Sequence, residues 1–352
     1  MCGLVGVVRS WEGANDHGVE GEFVAGLSWP AYLDGFLELD MNVLVRVVGL
    51  IGLGLMSCCA PAQKVDEVRY TDELRLRYPA PERLVAIGDV HGDLDAARRA
   101  LRLAGAIDGD DHWVGGELVV VQVGDQLDRG DGEQEILKLF DRLRDEAMEA
   151  GGAFHILNGN HELMNCALDL RYVTEGGFTD FEDAVLVDPD DEFVMGFPEE
   201  QRARVAAFRP GGPYAMRIAE RNTIVIVGDT LFVHGGVHME HIEYGLDRIN
   251  IEVRSWLIGE SEKPAVISGR ESPVWCRHFS SDVQPESRAL LEDALEELGI
   301  TRMVVAHTVQ EDGIRSHFDG QVWCVDVGMS SHYGGTAQVL EIRGDAVRVI
   351  VD

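Results

Sequence analysis

Short runs rich in branched apolar residues alternate with amphipathic stretches through the middle of the chain. Residues 84–87, 118–123 and 153–157 predict three buried strands. Between them, residues 93–104 and 133–150 repeat apolar positions at helical spacing. Apolar strands that alternate with helices are typical of an α/β domain whose sheet is covered by helices.

The pattern changes after residue 168. We expect residues 168–221 to form an inserted cap over the end of the sheet, with a small helix near residues 199–208. Its acidic run, residues 188–192, is interpreted as a solvated loop, because the spaced ligands and central Gly of an EF-hand loop are missing.

Strand patterns dominate the second half. Gly228-Asp229 predicts a hairpin turn between two strands, and residues 238–257 predict one helix. Gly-containing turns join several later strands, so we expect this half of the sheet system to be antiparallel. The predicted strands cover residues 223–227, 230–233, 302–306, 313–318, 322–327, 337–342 and 346–351.

Polar motifs follow five of the predicted strands. They are Gly88-Asp89-Val90-His91-Gly92, Gly124-Asp125-Gln126-Leu127-Asp128-Arg129-Gly130, Gly159-Asn160-His161-Glu162, His234-Gly235-Gly236 and Ala306-His307-Thr308. Side chains at i and i+2 of an extended backbone point the same way, so Asp89 and His91 make a pair of candidate ligands. If the strands are neighbours, the motifs converge on one sheet edge. Six oxygen and nitrogen ligands suit two divalent ions that share a carboxylate.

Composition narrows the choice of partners. With 352 residues and 45% hydrophobic content, the chain can bury a large core. A formal charge of −32 argues against nucleic acid, because phosphate backbones are bound by Lys and Arg. The cysteines form neither a CxxC site nor a disulfide framework. We expect Cys166, Cys276 and Cys324 to be buried.

The N-terminal region resembles a bacterial lipoprotein signal. Arg46 precedes an uncharged run, and Leu55-Met56-Ser57-Cys58 resembles a lipoprotein box in which Cys58 is lipidated. The alternatives are an uncleaved membrane anchor and a buried helix. We expect residues 1–40 to be an artefact of start-site choice or a poorly ordered extension, residues 41–57 the signal, 58–82 a linker and 83–352 the globular domain. A lipid anchor predicts a membrane-tethered, periplasmic or extracytoplasmic protein.

The five motifs resemble the signature set of the phosphoprotein phosphatase family of metallophosphoesterases. The segment 228–237 and Trp275-Cys276-Arg277 are closest to its Shewanella-like branch. The resemblance spans about residues 83–330. It implies a calcineurin-like α/β fold with mixed β-sheets sandwiched between helices.

The resemblance also implies a set of metal ligands. Two divalent ions, Mn, Fe or Zn with Mn favoured, would lie about 3.5–4 Å apart, and a hydroxide that bridges them would attack phosphorus directly. The first ion would be held by Asp89, His91 and Asp125, and the second by Asp125, Asn160, His234 and His307.

Four further residues take catalytic roles by the same resemblance. His161 would protonate the leaving oxygen, and Asp128 would orient its imidazole. Arg129 would bind phosphoryl oxygens with its planar fork, and Arg277 is a candidate for a second clamp. Tyr333 lies in a tail that departs from the eukaryotic Ser/Thr enzymes, and we expect it to be structural.

The sequence thus predicts a binuclear metallophosphatase that hydrolyses phosphate monoesters, either on proteins or on small molecules. Phosphotyrosine is favoured, and phosphoserine and phosphothreonine are alternatives. A symmetrical diadenosine tetraphosphate hydrolase is the nearest rival, but those enzymes carry a small residue where this chain has Asp128. A non-catalytic metal-binding lipoprotein is the other alternative, and intact Asp128 and His161 argue against it.

Overall fold

The computed structural model describes residues 75–281 and 283–352, and the predicted extension, signal and lipidation site lie outside the described residues. Within the described ranges, no helix is long and apolar enough to cross a bilayer.

Eleven strands of the described chain form two mixed sheets. They are β1 (Arg77–Tyr78), β2 (Leu84–Ile87), β3 (Val119–Gln122), β4 (Ala153–Ile156), β5 (Ile224–Val227), β6 (Thr230–Val233), β7 (Arg302–Val305), β8 (Arg315–His317), β9 (Val322–Cys324), β10 (Gln338–Arg343) and β11 (Ala346–Val351). The six-stranded sheet has the order β1-β5-β6-β7-β9-β8, and the five-stranded sheet has the order β11-β10-β2-β3-β4.

Helices cover the outer faces of both sheets. Those of the described residues are α1 (Leu94–Leu103), α2 (Glu133–Glu149), α3 (Asn160–Cys166), α4 (Glu175–Thr179), α5 (Glu192–Met195), α6 (Glu199–Phe208), α7 (Pro213–Ala219), α8 (Met239–Tyr244), α9 (Leu246–Leu257) and α10 (Pro285–Leu298).

The layers follow from the alternation of side chains along the strands. Leu84 and Ala86 of β2 join the apolar cluster between the two sheets, together with Phe232 of β6. Val85 and Ile87 of the same strand pack on the opposite face, in the cluster that includes α1 and α2. A third cluster packs the six-stranded sheet on α6, α7, α9 and α10. The predicted class, mixed sheets between helices, is confirmed.

The expectation of an antiparallel second half is only partly confirmed. β6 pairs with β7 in parallel, and β7 pairs with β9 in parallel. The predicted β5–β6 hairpin and the β10–β11 pair are antiparallel. A parallel pair needs a long crossover, and the helices between β6 and β7 provide it.

Two other local expectations differ from the structure. The predicted helix over residues 238–257 is divided into α8 and α9 by Gly245, whose φ of 105° ends the first helix. β1 pairs in parallel with β5, although it lies in the segment expected to be a linker. A strand of two residues is too short to show a period of two in the sequence.

The segment expected to form the cap, residues 168–221, contains α4, α5, α6 and α7. Its acidic run is mostly exposed. The side chain of Asp191 accepts a hydrogen bond from the backbone N–H of Val194 and so caps α5.

Candidate metal centre

The predicted ligands lie at the carboxyl ends of strands from both sheets. Asp89, Asp125 and Asn160 follow β2, β3 and β4 of the five-stranded sheet, whereas His234 and His307 follow β6 and β7 of the six-stranded sheet. The expectation of a single sheet edge is therefore wrong. The site forms where the ends of two packed sheets meet.

Gly124 lets these loops approach one another. A Cβ at this position would lie 2.7 Å from Cα of Gly159 and 2.8 Å from Nδ1 of His234, and its φ is 98°. No larger residue fits between the motifs that carry Asp125, Asn160 and His234.

Left-handed backbone is concentrated in the site. Such conformations are uncommon for residues other than glycine, and they persist where surrounding contacts fix them. Among the described residues, five predicted site residues have φ between 43° and 67°: His91, Asp125, Asp128, Arg129 and His307.

Two groups of side chains are arranged to hold divalent ions. One consists of His91, Asp125 and His161, and the other of Asp125, His234 and His307, with ligand atoms within 4.8 Å of one another in each group. Asp125 belongs to both groups, as expected of a shared carboxylate. His234 Nε2 lies 3.1 Å from Asp125 Oδ2.

Backbone carbonyls orient two of the histidines. His91 Nδ1 lies 3.0 Å from the carbonyl oxygen of Leu127, and His234 Nδ1 lies 2.8 Å from that of Val123. A carbonyl accepts the Nδ1 proton, so the lone pair of each Nε2 faces the site. This support is usual for histidines that bind metals.

Buried polar atoms without partners show that cations fit here. Asp89 Oδ1 and His307 Nε2 are buried without a hydrogen-bond partner. Burial raises the pKa of Asp89 well above its ordinary value, and the neighbouring carboxylates of Asp326 and Asp125 raise it further. A divalent cation would relieve both the desolvation and the repulsion of these carboxylates. The residues therefore fit the predicted pair of ions.

Asp89 stands slightly apart from the two compact groups. Its Oδ2 lies 3.8 Å from His91 Nε2, and its Oδ1 lies 3.9 Å from His234 Nδ1. His161, predicted as an acid rather than a ligand, lies in the first group instead. Asn160 Oδ1 contacts His234 Nε2 at 2.8 Å.

The catalytic pair predicted beside the ions is formed. His161 Nδ1 donates to Asp128 Oδ2 over 2.6 Å, and both side chains are buried. His161 Nε2 lies 3.7 Å from Asp125 Oδ2, on the side of the metal ligands. The imidazole is thus held at one nitrogen and faces the reaction site with the other.

Comparison with known proteins identifies the family. The profile of the calcineurin-like phosphoesterases matches residues 82–311. The chain belongs to this family. Shewanella-like protein phosphatase 2 of Arabidopsis thaliana is 44% identical over 310 residues, which cover 79% of each chain. Shewanella-like protein phosphatase 1 of Plasmodium berghei is 27% identical over 287 residues, 77% of this chain and 75% of that protein.

Solved structures agree with this assignment. The phosphoesterase superposes on a cold-active protein-tyrosine phosphatase of a psychrophilic Shewanella species with a TM-score of 0.65 and 26% identity, over 79% of this chain and 82% of that one. A protein serine/threonine phosphatase from Saccharomyces cerevisiae gives a TM-score of 0.50 at 14% identity, over 79% and 83% of the two chains, and shares the fold. The resemblance found in the sequence is confirmed, and the chain is a metal-dependent phosphatase.

Electrostatics divide the histidines of this phosphoesterase into two groups. The carboxylate of Asp125 raises the pKa of both His161 and the predicted ligand His234 against the effect of burial. Burial lowers the pKa of His91 to about 3 and that of His307 well below its ordinary value, so both are neutral donors. For His161, burial also disfavours the charged form, but the carboxylates of Asp125 and Asp128 outweigh it and raise the pKa. The phosphoesterase thus favours a protonated His161, as a general acid requires.

The two predicted clamps have different surroundings. Arg129 NH1 lies 3.0 Å from His91 Nε2 and donates to the hydroxyl of Tyr333. Arg277 NH1 donates to Oγ1 of Thr308 over 2.6 Å and to the carbonyl of His307 over 3.3 Å. Arg277 therefore holds the loop that carries a metal ligand, in addition to any contact with phosphate.

Tyr333, which was expected to be structural, lies at the site beside Arg129. Arg129 is between two rings, with its guanidinium carbon 5.0 Å from the centroid of Tyr172 and 5.2 Å from that of Tyr333. The rings are 38% and 40% exposed. Nothing in the sequence indicated a role for Tyr172, because no motif connects it with Arg129.

Glu162 supports the site as expected. Its carboxylate accepts hydrogen bonds from the backbone N–H groups of Asp125, Gln126, Leu127 and Gly159. These bonds tie the loop after β3 to the loop after β4, and thereby tie the shared ligand to the segment that carries the acid.

Other acidic residues and one arginine were missed. Asp326 is buried beside Asp89, and its signal was an Asp inside an apolar run. Glu133 and Arg204 are buried behind Asp128. A charged residue on an amphipathic helix is ordinarily taken to face solvent, so nothing in the pattern indicated their position.

Within the described part of the chain, three other histidines and the cysteines lie outside the two groups of candidate metal ligands. His155 packs against Tyr78, with ring centroids 4.3 Å apart. His238 and His241 meet at the start of α8, where His241 Nδ1 accepts the backbone N–H of His238. Both side chains are buried. As expected, the cysteines of the described chain are buried: Cys166, Cys276 and Cys324.

Proposed function

We propose that this phosphatase acts on proteins and prefers phosphotyrosine, with phosphoserine and phosphothreonine as poorer substrates. The observation that carries the preference is the placement of Arg129 between Tyr172 and Tyr333. A phosphate held by Arg129 brings its ester group between partly exposed aromatic rings. A phenyl ring gains edge or face contacts there that a short aliphatic chain does not.

The relatives support this preference. The structural neighbour from Shewanella is described as a protein-tyrosine phosphatase, and the similar Arabidopsis and Plasmodium proteins are named protein phosphatases. Asp128 accepts a hydrogen bond from His161. It is also the residue that argues against a diadenosine tetraphosphate hydrolase.

The side chains suggest how the reaction proceeds. Divalent ions, when bound, act as Lewis acids that stabilise negative charge on the phosphoryl oxygens. Arg129 binds the same oxygens through its guanidinium fork. His161 Nε2 gives its proton to the leaving oxygen, and Asp128 stabilises the imidazolium through Nδ1 before that transfer. Asp89, His91, Asp125, Asn160, His234 and His307 would hold the ions.

Mixed oxygen and imidazole ligands suit Mn, Fe and Zn alike. We propose that the site binds ions of this group, with Mn favoured. Reconstitution of chelated enzyme with each ion tests this choice. Higher activity with Mg than with Mn would contradict it.

A substrate panel tests the specificity. Matched peptides that differ only in phosphotyrosine, phosphoserine or phosphothreonine are assayed with added Mn beside diadenosine tetraphosphate. We expect the highest kcat/KM for phosphotyrosine. Faster turnover of diadenosine tetraphosphate would replace this proposal with the dinucleotide hydrolase, and no turnover of any substrate would favour a non-catalytic metal protein.

We further propose that the enzyme is anchored to a membrane through Cys58 and acts on the extracytoplasmic side. The support is the signal-like sequence that precedes Cys58. Palmitate labelling of cells that express the wild type, Cys58→Ala or the adjacent Cys59→Ala tests the anchor. Loss of label in Cys58→Ala alone is expected, and label that persists in that variant would refute the site.

A further inference from the structure

An arginine of the cap reaches the back of the catalytic pair. Arg204 lies on α6, and its side chain is 0% exposed. Its NH2 lies 3.5 Å from Asp128 Oδ1. Asp128 Oδ2, the other oxygen, accepts the proton of His161 Nδ1. Arg204 thus contacts the carboxylate that orients the general acid, from the side opposite to the imidazole.

Every N–H group of Arg204 has an acceptor. NH1 and NH2 each donate to a different oxygen of Glu133, NH1 also donates to the carbonyl of Gly177, and Nε donates to Asn165 Oδ1 over 2.8 Å. With the contact to Asp128, these bonds account for the five donors of a guanidinium. The group is therefore fixed in orientation as well as buried.

The acceptors of Arg204 themselves hold the catalytic pair. Asn165 Nδ2 donates to Asp128 Oδ1 and to the carbonyl of His161, each over 3.0 Å. Glu133 accepts the backbone N–H of Asp128. The guanidinium of Arg204 thus connects to the side chain of Asp128 directly. It connects to the backbone of Asp128 through Glu133 and to the backbone of His161 through Asn165.

Aromatic rings and charge hold Arg204 in place. Its guanidinium carbon lies 4.8 Å from the ring centroid of Phe181 and 5.0 Å from that of Phe208. Both rings are fully buried. Glu133 forms an ion pair with both terminal nitrogens of Arg204, whereas Asp128 Oδ2 accepts the hydrogen bond from His161. A buried ion pair of this kind is weak evidence for stability. Here the hydrogen bonds of all five donors define the orientation of the guanidinium.

We propose that Arg204 is a positioning residue for the general acid, by which the cap fixes the orientation of Asp128 and through it that of His161. The proposal rests on the role of His161 as proton donor in the proposed function. It assigns the cap a part in catalysis that does not require contact with substrate.

The dependence of kcat/KM on the leaving group tests whether Arg204 positions the general acid or has only a structural role. Phenyl phosphate needs a proton on its leaving oxygen, whereas 2,4-dinitrophenyl phosphate has a leaving group stable enough to depart without one. In Arg204→Met/Glu133→Gln, which removes both buried charges, kcat/KM should fall on the order of 10- to 100-fold for phenyl phosphate. It should fall less than about threefold for the dinitrophenyl ester, with unchanged metal content. Equal losses on both esters would overturn the proposal.

Two further variants control for misfolding and for effects that are not specific to Arg204. Arg204→Lys keeps the charge but cannot donate to two oxygens of Glu133 as a planar fork, so it should show the same selective loss at smaller size. Arg209→Met removes another cap arginine, whose NH1 pairs with Asp191 Oδ2 at 2.6 Å. It should leave both rates unchanged. A selective loss in Arg209→Met would assign the effect to the cap in general and overturn the role of Arg204.

A double-mutant cycle completes the test. If Arg204 acts through His161, Arg204→Lys in a His161→Asn background should cause no further loss on phenyl phosphate. An additive loss would overturn the proposal and leave the proposed function intact. A wild-type enzyme inactive on every aryl phosphate would overturn both.

Discussion

The backbone N–H of His161 donates a hydrogen bond to Asp125 Oδ1 over 3.0 Å. Asp125 is also the carboxylate shared by the two groups of metal ligands, and its Oδ2 lies 3.7 Å from Nε2 of the same histidine. This carboxylate therefore fixes the first turn of α3, which carries the proposed general acid. Metal binding and placement of the acid depend on one side chain.

Substitution of Asp125 should separate these two roles. Asp125→Asn keeps an oxygen that can accept the N–H of His161, and asparagine tolerates the φ of 54° found here. We expect loss of bound metal and of activity without loss of folding. Asp125→Ala should in addition lower Tm, because the N–H is left unpaired. Metal analysis and thermal denaturation measure both effects, and two ions retained in Asp125→Asn would contradict the shared ligation.

His161→Asn should abolish most activity while metal content stays near two ions per chain. The proton donor is lost, which costs roughly 10²- to 10⁴-fold in kcat, whereas the ligands of the second group remain. Because His161 also belongs to the first compact group, metal analysis is decisive. Loss of an ion together with activity would make His161 a ligand, and retained activity would remove it from catalysis.

Asp89→Asn should lose metal and activity together. Asp89 Oδ1 is buried without a partner, and an amide there removes the charge that a cation would balance. Asp93 provides a control, because it is an acidic residue four positions later that caps α1 instead. Asp93→Asn should keep metal, since asparagine also caps helices. Full activity in Asp89→Asn would refute its assignment as a ligand.

The candidate metal ligands could be selected from sequence because each follows a strand with a strong apolar signal. His234 follows β6 directly, Asp89 lies two residues after β2, and Asp125 lies three residues after β3. The pairing of strands could not be predicted in the same way. The parallel β6–β7 pair is separated by more than sixty residues of helix and loop, and the period of two along a strand does not distinguish its neighbours.

The positions of Arg204 and Tyr333 at the site depend on tertiary contacts. Arg204 lies 76 positions from Asp128 in the chain, and Tyr333 lies 204 positions from Arg129. Neither belongs to a local motif. Their roles depend on how the cap and the tail after β9 fold back over the strand ends, and no local pattern specifies that packing.

The rings beside Arg129 should determine substrate preference. Tyr172→Ala and Tyr333→Ala each remove an aromatic contact, worth about 0.5–1.5 kcal/mol. We expect kcat/KM to fall about 2- to 12-fold for a phosphotyrosine peptide and less for the matched phosphoserine peptide. Tyr244→Ala is the control, because Tyr244 stacks on Arg248 instead. Equal losses on both peptides would show that the rings position Arg129 without selecting the substrate.

Acid stability should depend on a carboxylate far from the site in sequence, Glu341 of β10. Burial disfavours its charged form, but hydrogen bonds from Arg348 and Arg83 outweigh burial and lower the pKa of Glu341 from 4.5 to about 2. A group whose pKa is lower in the folded state stabilises the fold above its unfolded pKa. That stability is lost as the pH falls from about 4.5 towards 2.

Glu341→Gln should therefore lower the free energy of unfolding at pH 7, on the order of 1–3 kcal/mol. The difference from wild type should shrink as the pH falls below 4.5, because the wild-type carboxylate then also loses its charge, first in the unfolded chain. Urea denaturation at several pH values measures this difference. Glu297→Gln on α10 is a control with an exposed carboxylate, and it should change little. A difference at Glu341 that stays constant from pH 7 to pH 3 would mean that packing, rather than the charge held by Arg83 and Arg348, stabilises this strand.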